Sequence, residues 1–79
     1  MNTKEIIKSY VLEKLEKDNI KNDDDIFELG FVSSMFAMEL VMFLEQTFNI
    51  NIESDDLTLD NFKSIDNMTK LAEKKVSII

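Results

Sequence analysis

Two adjacent hydroxyls, Ser33 and Ser34, lie between a turn glycine and an apolar run in the segment Leu29-Gly30-Phe31-Val32-Ser33-Ser34-Met35. A serine oxygen can act as a nucleophile when a base activates it, and at a helix start it can cap the backbone instead. Taken alone, the pair reads as capping. The 79-residue chain has no His and no Cys, so it lacks the residues that most often do acid–base and thiol chemistry. No serine–histidine triad can form, and no set of nucleophile, base and oxyanion donors can be named. Reactivity must therefore be attached to this protein or brought to it.

Other chemistry-bearing patterns are weaker. Asp23-Asp24-Asp25 invites a calcium reading, but an EF-hand loop needs alternating acids, glycine at its sixth position and glutamate at its twelfth. Counted from Asp18, those positions hold Asp23 and Leu29, so the run reads as a solvated, self-repelling loop. Without Cys and His there is neither a disulfide framework nor the usual zinc ligand set, and no metal site is expected. Asn67-Met68-Thr69 matches a glycosylation acceptor but carries no meaning without secretion.

Sixteen acidic against nine basic residues give a net charge of −7, which repels phosphate backbones and excludes nucleic acid as the expected partner. All nine cations are Lys. Apolar stretches fall far short of the roughly 20 residues that cross a bilayer, and the first residues offer no apolar signal core. The expectation is one small domain over residues 1–79, monomeric and cytoplasmic, without a deep cavity. No Pro and a single Gly favour helices over a turn-rich β fold.

Periodicity supplies the elements. Ile7, Val11 and Leu15, flanked by Ile6, Tyr10 and Leu12, predict an amphipathic helix over about residues 3–17, with Thr3 as its cap. A long acidic loop follows to Ser33, pinned by Ile26, Phe27 and Leu29, and a loop of that length in a small domain is usually functional or disordered. The second helix is predicted from Ser34 to Phe48, capped by Ser33, with Ala37, Leu40, Val41, Leu44 and Phe48 on the core side. Met35, Met38 and Met42 form a second stripe near Ser34, flanked by Glu39 and Glu45, and Phe36 and Phe43 form a third. A helix apolar nearly all round is either deeply buried or in contact with partners. An extended connector at Ile50 and Ile52, one brief helix from Ser54 to Phe62 and a last helix capped by Ser64 complete the chain. That last helix turns Ile65, Met68, Leu71, Ala72 and Val76 inward, and the tail Ser77-Ile78-Ile79 is expected to fray.

This arrangement resembles the acyl and peptidyl carrier family over nearly the whole chain. The residues that carry the likeness are Gly30 four positions before Ser34, the apolar Met35 after it, and the run Glu39-Leu40-Val41, Leu44-Glu45 to Phe48. The resemblance implies an all-α fold, a small four-helix bundle with three long helices, one short helix and a long first loop. It also implies a non-enzymatic carrier whose Ser34 receives phosphopantetheine from coenzyme A through a phosphopantetheinyl transferase. The thiol of that arm would hold an acyl group as a thioester and pass it among acyl-loading and acyl-processing enzymes. Met35, Met38, Glu39, Met42 and Glu45 are the expected partner-binding residues. A phosphodiester on Ser34 would be favoured by the unpaired amides and partial positive charge of the helix start.

Most carriers have Asp directly before the modified serine, whereas this chain has Ser33, which stands as the alternative acceptor. Among carriers, the stretch from Gly30 to Met38, Phe43 and the segment Leu57-Thr58-Leu59-Asp60-Asn61-Phe62 most resemble those that hold three-carbon units for polyketide extension. D-Alanyl carriers share the glycine spacing and the serine–methionine pair and rank second. A different class, an unmodified acidic helical interaction domain, draws on the same apolar second helix, and only a carrier would gain the arm.

Overall fold

The first helix starts one residue earlier than its sequence suggests. In the computed structural model, which describes residues 2–76, the Oδ1 of Asn2 accepts the amide of Glu5 at 2.9 Å, so Asn2 is the cap and Thr3 is already helical. Asn is a stronger cap than Thr, which accounts for the shift. Helix α1 spans Thr3–Leu15 and stops two residues short of Lys17. Glu16 adopts a left-handed conformation there, with the Lys17 amide bonded back to the Leu12 carbonyl at 3.1 Å and the Glu16 amide to that of Glu13. These two bonds close a Schellman motif.

The remaining elements are α2 (Ser34–Phe48), a single 3-10 turn (Ser54–Asp56), α3 (Leu59–Phe62) and α4 (Ile65–Val76). Among the described residues the fold is all-α, three long helices and one short, as expected. The predicted brief helix is split in two, because Leu57 leaves helical geometry and Thr58 caps α3 afresh by accepting the Asn61 amide at 3.2 Å.

Packing is centred on α4. Helices α1, α2 and α3 all touch it, and Ile65, Met68, Leu71 and Ala72 are buried with Ile7, Val11, Leu40 and Leu44. Val76 is the exception to the predicted inward stripe, being 43% exposed in the last turn, and residues 77–79 lie outside the described chain. Between α1 and α2 the contact is aromatic: the rings of Tyr10 and Phe43 stack with centroids 3.8 Å apart, and Phe36 lies 6.2 Å from Tyr10. Phe36 is buried, while Ala37, Val41 and Phe48 are only half-buried, so the core face of α2 is turned toward Phe36 relative to the predicted one.

The long loop is held at defined points. Ile20 and Ile26 are buried, and the Ile26 amide donates to the Lys63 carbonyl at 2.8 Å. Leu29, predicted as an anchor, is 51% exposed instead; Ile20 takes that role. Asp24 and Asp25 are not simply solvated. Asp24 Oδ2 accepts the Lys21 amide at 2.8 Å, and Asp25 Oδ1 accepts those of Phe27 and Glu28, so the acids order the turn. Gly30 follows with φ of +81°, a conformation that side chains rarely adopt, although a Cβ there would meet nothing. Its need is conformational rather than steric.

Leu44 is fully buried beneath α2. Leu44→Ala should cost about 2–5 kcal/mol by lost burial and the cavity left behind. Leu29→Ala should change stability by no more than about 0.5 kcal/mol, as at other exposed sites. Chemical denaturation of both variants checks the contrast, and equal losses would reverse the assignment of loop anchors.

Candidate functional site

The two serines perform different tasks. Ser33 has extended backbone geometry, φ −89° and ψ 168°, and its Oγ accepts the Phe36 amide at 3.1 Å while its carbonyl accepts that of Ala37 at 3.0 Å. It is the helix N-cap. Ser34 is the first helical residue and is exposed, and among the described residues its hydroxyl has no hydrogen-bond partner. The amides of Ser34 and Met35 likewise have no protein acceptor, and no acid occupies the first turn. Anything anionic attached to Ser34 would meet open N–H groups and the positive end of the helix.

Beside Ser34 opens a groove of about 430 Å³, lined by Phe27, Ala37, Met38 and Val41 on one side and by Leu57, Thr58, Leu59 and Phe62 on the other. Among the described residues no titratable side chain lines it. It stays open because its second wall is fastened to α4. Asn67 Nδ2 donates to the Asp60 carbonyl at 2.6 Å, and Asn61 Nδ2 to that of Asp56 at 2.9 Å. Lys75 on α4 pairs with Asp56 Oδ2 at 2.6 Å, an ion pair whose side chains are only 15% and 12% exposed. The same Asp56 oxygen accepts the Glu53 amide at 3.0 Å. The Lys75 ammonium and this amide hold Asp56 below the usual carboxylate range against the opposing effect of burial, and Asp56 raises Lys75 in return.

The methionine stripe stands clear of the core. Met35, Met38 and Met42 are 72%, 67% and 53% exposed; Met38 shares the groove beside Ser34 with Leu57 and Leu59, whereas Met35 and Met42 line other depressions along α2. Glu39 is half-buried near Tyr10, whose phenol is raised by burial and then by the Glu39 charge. Glu45 is not beside the stripe's free face: its Oε2 accepts the Ile52 amide at 2.9 Å and secures the connector after α2.

A comparison with known families assigns residues 5–72 to one described as "Phosphopantetheine attachment site". The chain belongs to this family of carriers. It is accordingly a carrier protein rather than an enzyme, one that bears phosphopantetheine covalently. Related proteins include the D-alanyl carrier proteins of Streptococcus pyogenes serotype M5 (strain Manfredo), serotype M49 (strain NZ131) and serotype M1, each 29% identical over 52 residues. The match covers 66% of this chain and 66% of each relative, a little under two thirds of the curated relatives' length.

The residues present fit such an arm. A free hydroxyl, two open amides and an adjoining uncharged groove suit, respectively, a phosphoester link, its anionic phosphate and a flexible amide chain. When bound, the arm supplies a terminal thiol able to hold a carboxylic acid as a thioester. Leu57, Leu59 and the fasteners Asp56, Asn61, Asn67 and Lys75 were not singled out as functional from sequence. A signal existed for the first pair, two leucines bracketing a threonine outside any periodic stripe.

The ion pair gives the groove wall a defined pH range. Asp56 is depressed, so its contribution is whole above the pKa it has in the unfolded chain and is lost as pH falls through the lower folded value. Lys75 is raised, so its contribution is whole below the unfolded lysine value and is lost as pH climbs through the higher folded one. Asp56→Asn should therefore lower Tm at neutral pH, and the gap between the two melting curves should narrow toward strong acid. Melts across pH check this; a gap that is absent at neutral pH would show that Asp56 does not secure the wall.

Proposed function

We propose that Ser34 accepts phosphopantetheine and that the protein shuttles a short acyl or aminoacyl group, bound to the arm as a thioester, between biosynthetic enzymes. The observation that carries this reading is the division of the serine pair, with Ser33 bonded to the Phe36 amide and Ser34 exposed and unpartnered. Ser33 serves the capping role that an aspartate would, since Ser and Asp cap helices about equally well. The absence of the carboxylate therefore leaves the helix start intact. Among the described residues no base lines the groove at Ser34, so the transferase must supply the group that takes its proton.

A transferase that reaches Ser34 must cover the surface around it. Met35 and Met38 follow within one helical turn, and Met42 extends the same exposed stripe. Flexible thioethers suit a surface gripped by several enzymes in turn. Glu39 adds one acid to this face, so docking here is mainly apolar. The groove, having no charged lining, can shelter the uncharged parts of the arm and a neutral cargo, whereas a bare ammonium inside it would be costly.

For the cargo, the likeness of residues 30–38 and 57–62 to extender-unit carriers favours a three-carbon acyl group of polyketide assembly. A second reading, D-alanine, is favoured by the names of the Streptococcus pyogenes relatives. The mass of the group released from the carrier's thioester, after isolation from its own cells, separates the two.

Incubation with coenzyme A and a broad-specificity phosphopantetheinyl transferase should add one arm to the parent chain and none to Ser34→Ala. Ser33→Ala should still be modified yet lose about 0.5–2 kcal/mol of stability with its cap, while Ser33→Asp should keep both. Intact mass and peptide mapping read the outcome. No gain of mass in the parent would favour an unmodified interaction domain. Met38→Glu should slow arm transfer without lowering Tm, and an unaltered rate would remove the stripe from the docking face.

A further inference from the structure

The chain offers an oxidant no cysteine, so its thioethers are its softest sulfur groups. Their exposure is sharply divided. Met35, Met38 and Met42 stand 72%, 67% and 53% exposed on the face of α2 that carries Ser34, whereas Met68 is completely buried in α4. We infer that these three methionines form a reversible oxidation site for hydrogen peroxide, which withdraws the carrier from its enzymes while leaving the bundle folded. The inference rests on the docking role given to the same stripe.

The chemistry balances without further components. A sulfur lone pair attacks one peroxide oxygen, the O–O bond breaks as the S–O bond forms, and the departing hydroxide collects the remaining proton as water. Each thioether is oxidised by two electrons to a sulfoxide, and each peroxide is reduced to water. Methionine sulfoxide reductases reverse the change. A sulfoxide is a strong acceptor where an apolar contact was, and closing an interface over it without a donor costs its desolvation. Three such groups stand exposed on the helix that begins with Ser34. Met68, by contrast, can react only when the core opens, so peroxide at moderate dose spares the fold.

The test uses the chain before arm addition, so that the arm thiol does not compete for oxidant. The protein is treated with hydrogen peroxide under native conditions, the excess is destroyed with catalase, and arm transfer from coenzyme A is then measured. Peptide mapping should find sulfoxide at Met35, Met38 and Met42 before Met68. The kcat/KM for arm transfer should fall by about tenfold or more, as for the loss of a central interface contact, with the circular dichroism melt little changed. Treatment with the two sulfoxide reductases should restore the rate. A variant carrying Met35→Leu, Met38→Leu and Met42→Leu, whatever its own starting rate, should load at the same rate before and after peroxide, and Met38→Leu alone should show a partial effect.

Oxidised carrier that loads at the original rate would overturn the inference, as would a loss that follows Met68 oxidation and unfolding or persists in the leucine variant. Met38→Glu separates the two levels. Slow loading of Met38→Glu with normal loading of oxidised carrier refutes the oxidation site alone, whereas normal loading of both refutes the docking face beneath it.

Discussion

A helix that starts on two serines can use only one of them as its cap, and the choice is made by a single hydrogen bond. The Phe36 amide donates to Ser33 Oγ, which fixes Ser33 in extended geometry and makes Ser34 the first helical residue. The direction of the chain into that bond is set further back, by Gly30 in a conformation few residues tolerate and by Ile26 anchored to Lys63. With it go the unpartnered hydroxyl of Ser34 and the open amides beside it. Core packing of Phe36, Leu40 and Leu44 turns the same helix so that the methionines lie outside. The proposed attachment site thus depends on which serine is the cap.

The groove depends on a different balance. Helix α3 is too short to hold itself by intrahelical bonds, and helices of that length are marginal without tertiary support. Its support comes from α4, whose Asn67 donates to the Asp60 carbonyl, and from the 3-10 turn, which Asn61 joins to α3 and the Asp56–Lys75 ion pair ties to α4. Because these fasteners pull the wall toward α4, the space between α3 and α2 is left unfilled by side chains. A nearly buried ion pair adds little over an apolar contact of the same shape, but losing one partner leaves the other uncompensated. The wall is therefore held in one place rather than merely attracted there.

Much of this was legible in the residue pattern because it is local. The bounds of α2, its Ser33 cap, the Ser64 cap of α4 and the exposed methionine stripe each follow from spacings within a few turns, where periodicity and capping act. What was not legible is long-range or irregular. Asp56 and Lys75 are remote in sequence and on different elements, so no pattern pairs them. Ile20 and Leu29 look alike in an aperiodic loop, and only the fold decides that the first is buried and the second exposed. Asp24 and Asp25 read as repulsive charge, yet their geometry makes them turn acceptors. Val76 continues an apolar stripe past the point where α4 still has a neighbour to pack against. The identity of the cargo is legible in neither sequence nor fold, since an uncharged groove and a thiol arm admit many short acids.

The division of labour between the serines is tested most directly by a phosphorus–proton correlation spectrum of the arm-bearing protein, in which the phosphodiester couples to the β protons of the residue that carries it. The account predicts coupling to the Ser34 β protons, with the Ser33 spin system unlinked to phosphorus and the Phe36 amide still hydrogen-bonded. Coupling to the Ser33 β protons would contradict it, because the account gives the Ser33 oxygen to the cap and the arm to Ser34.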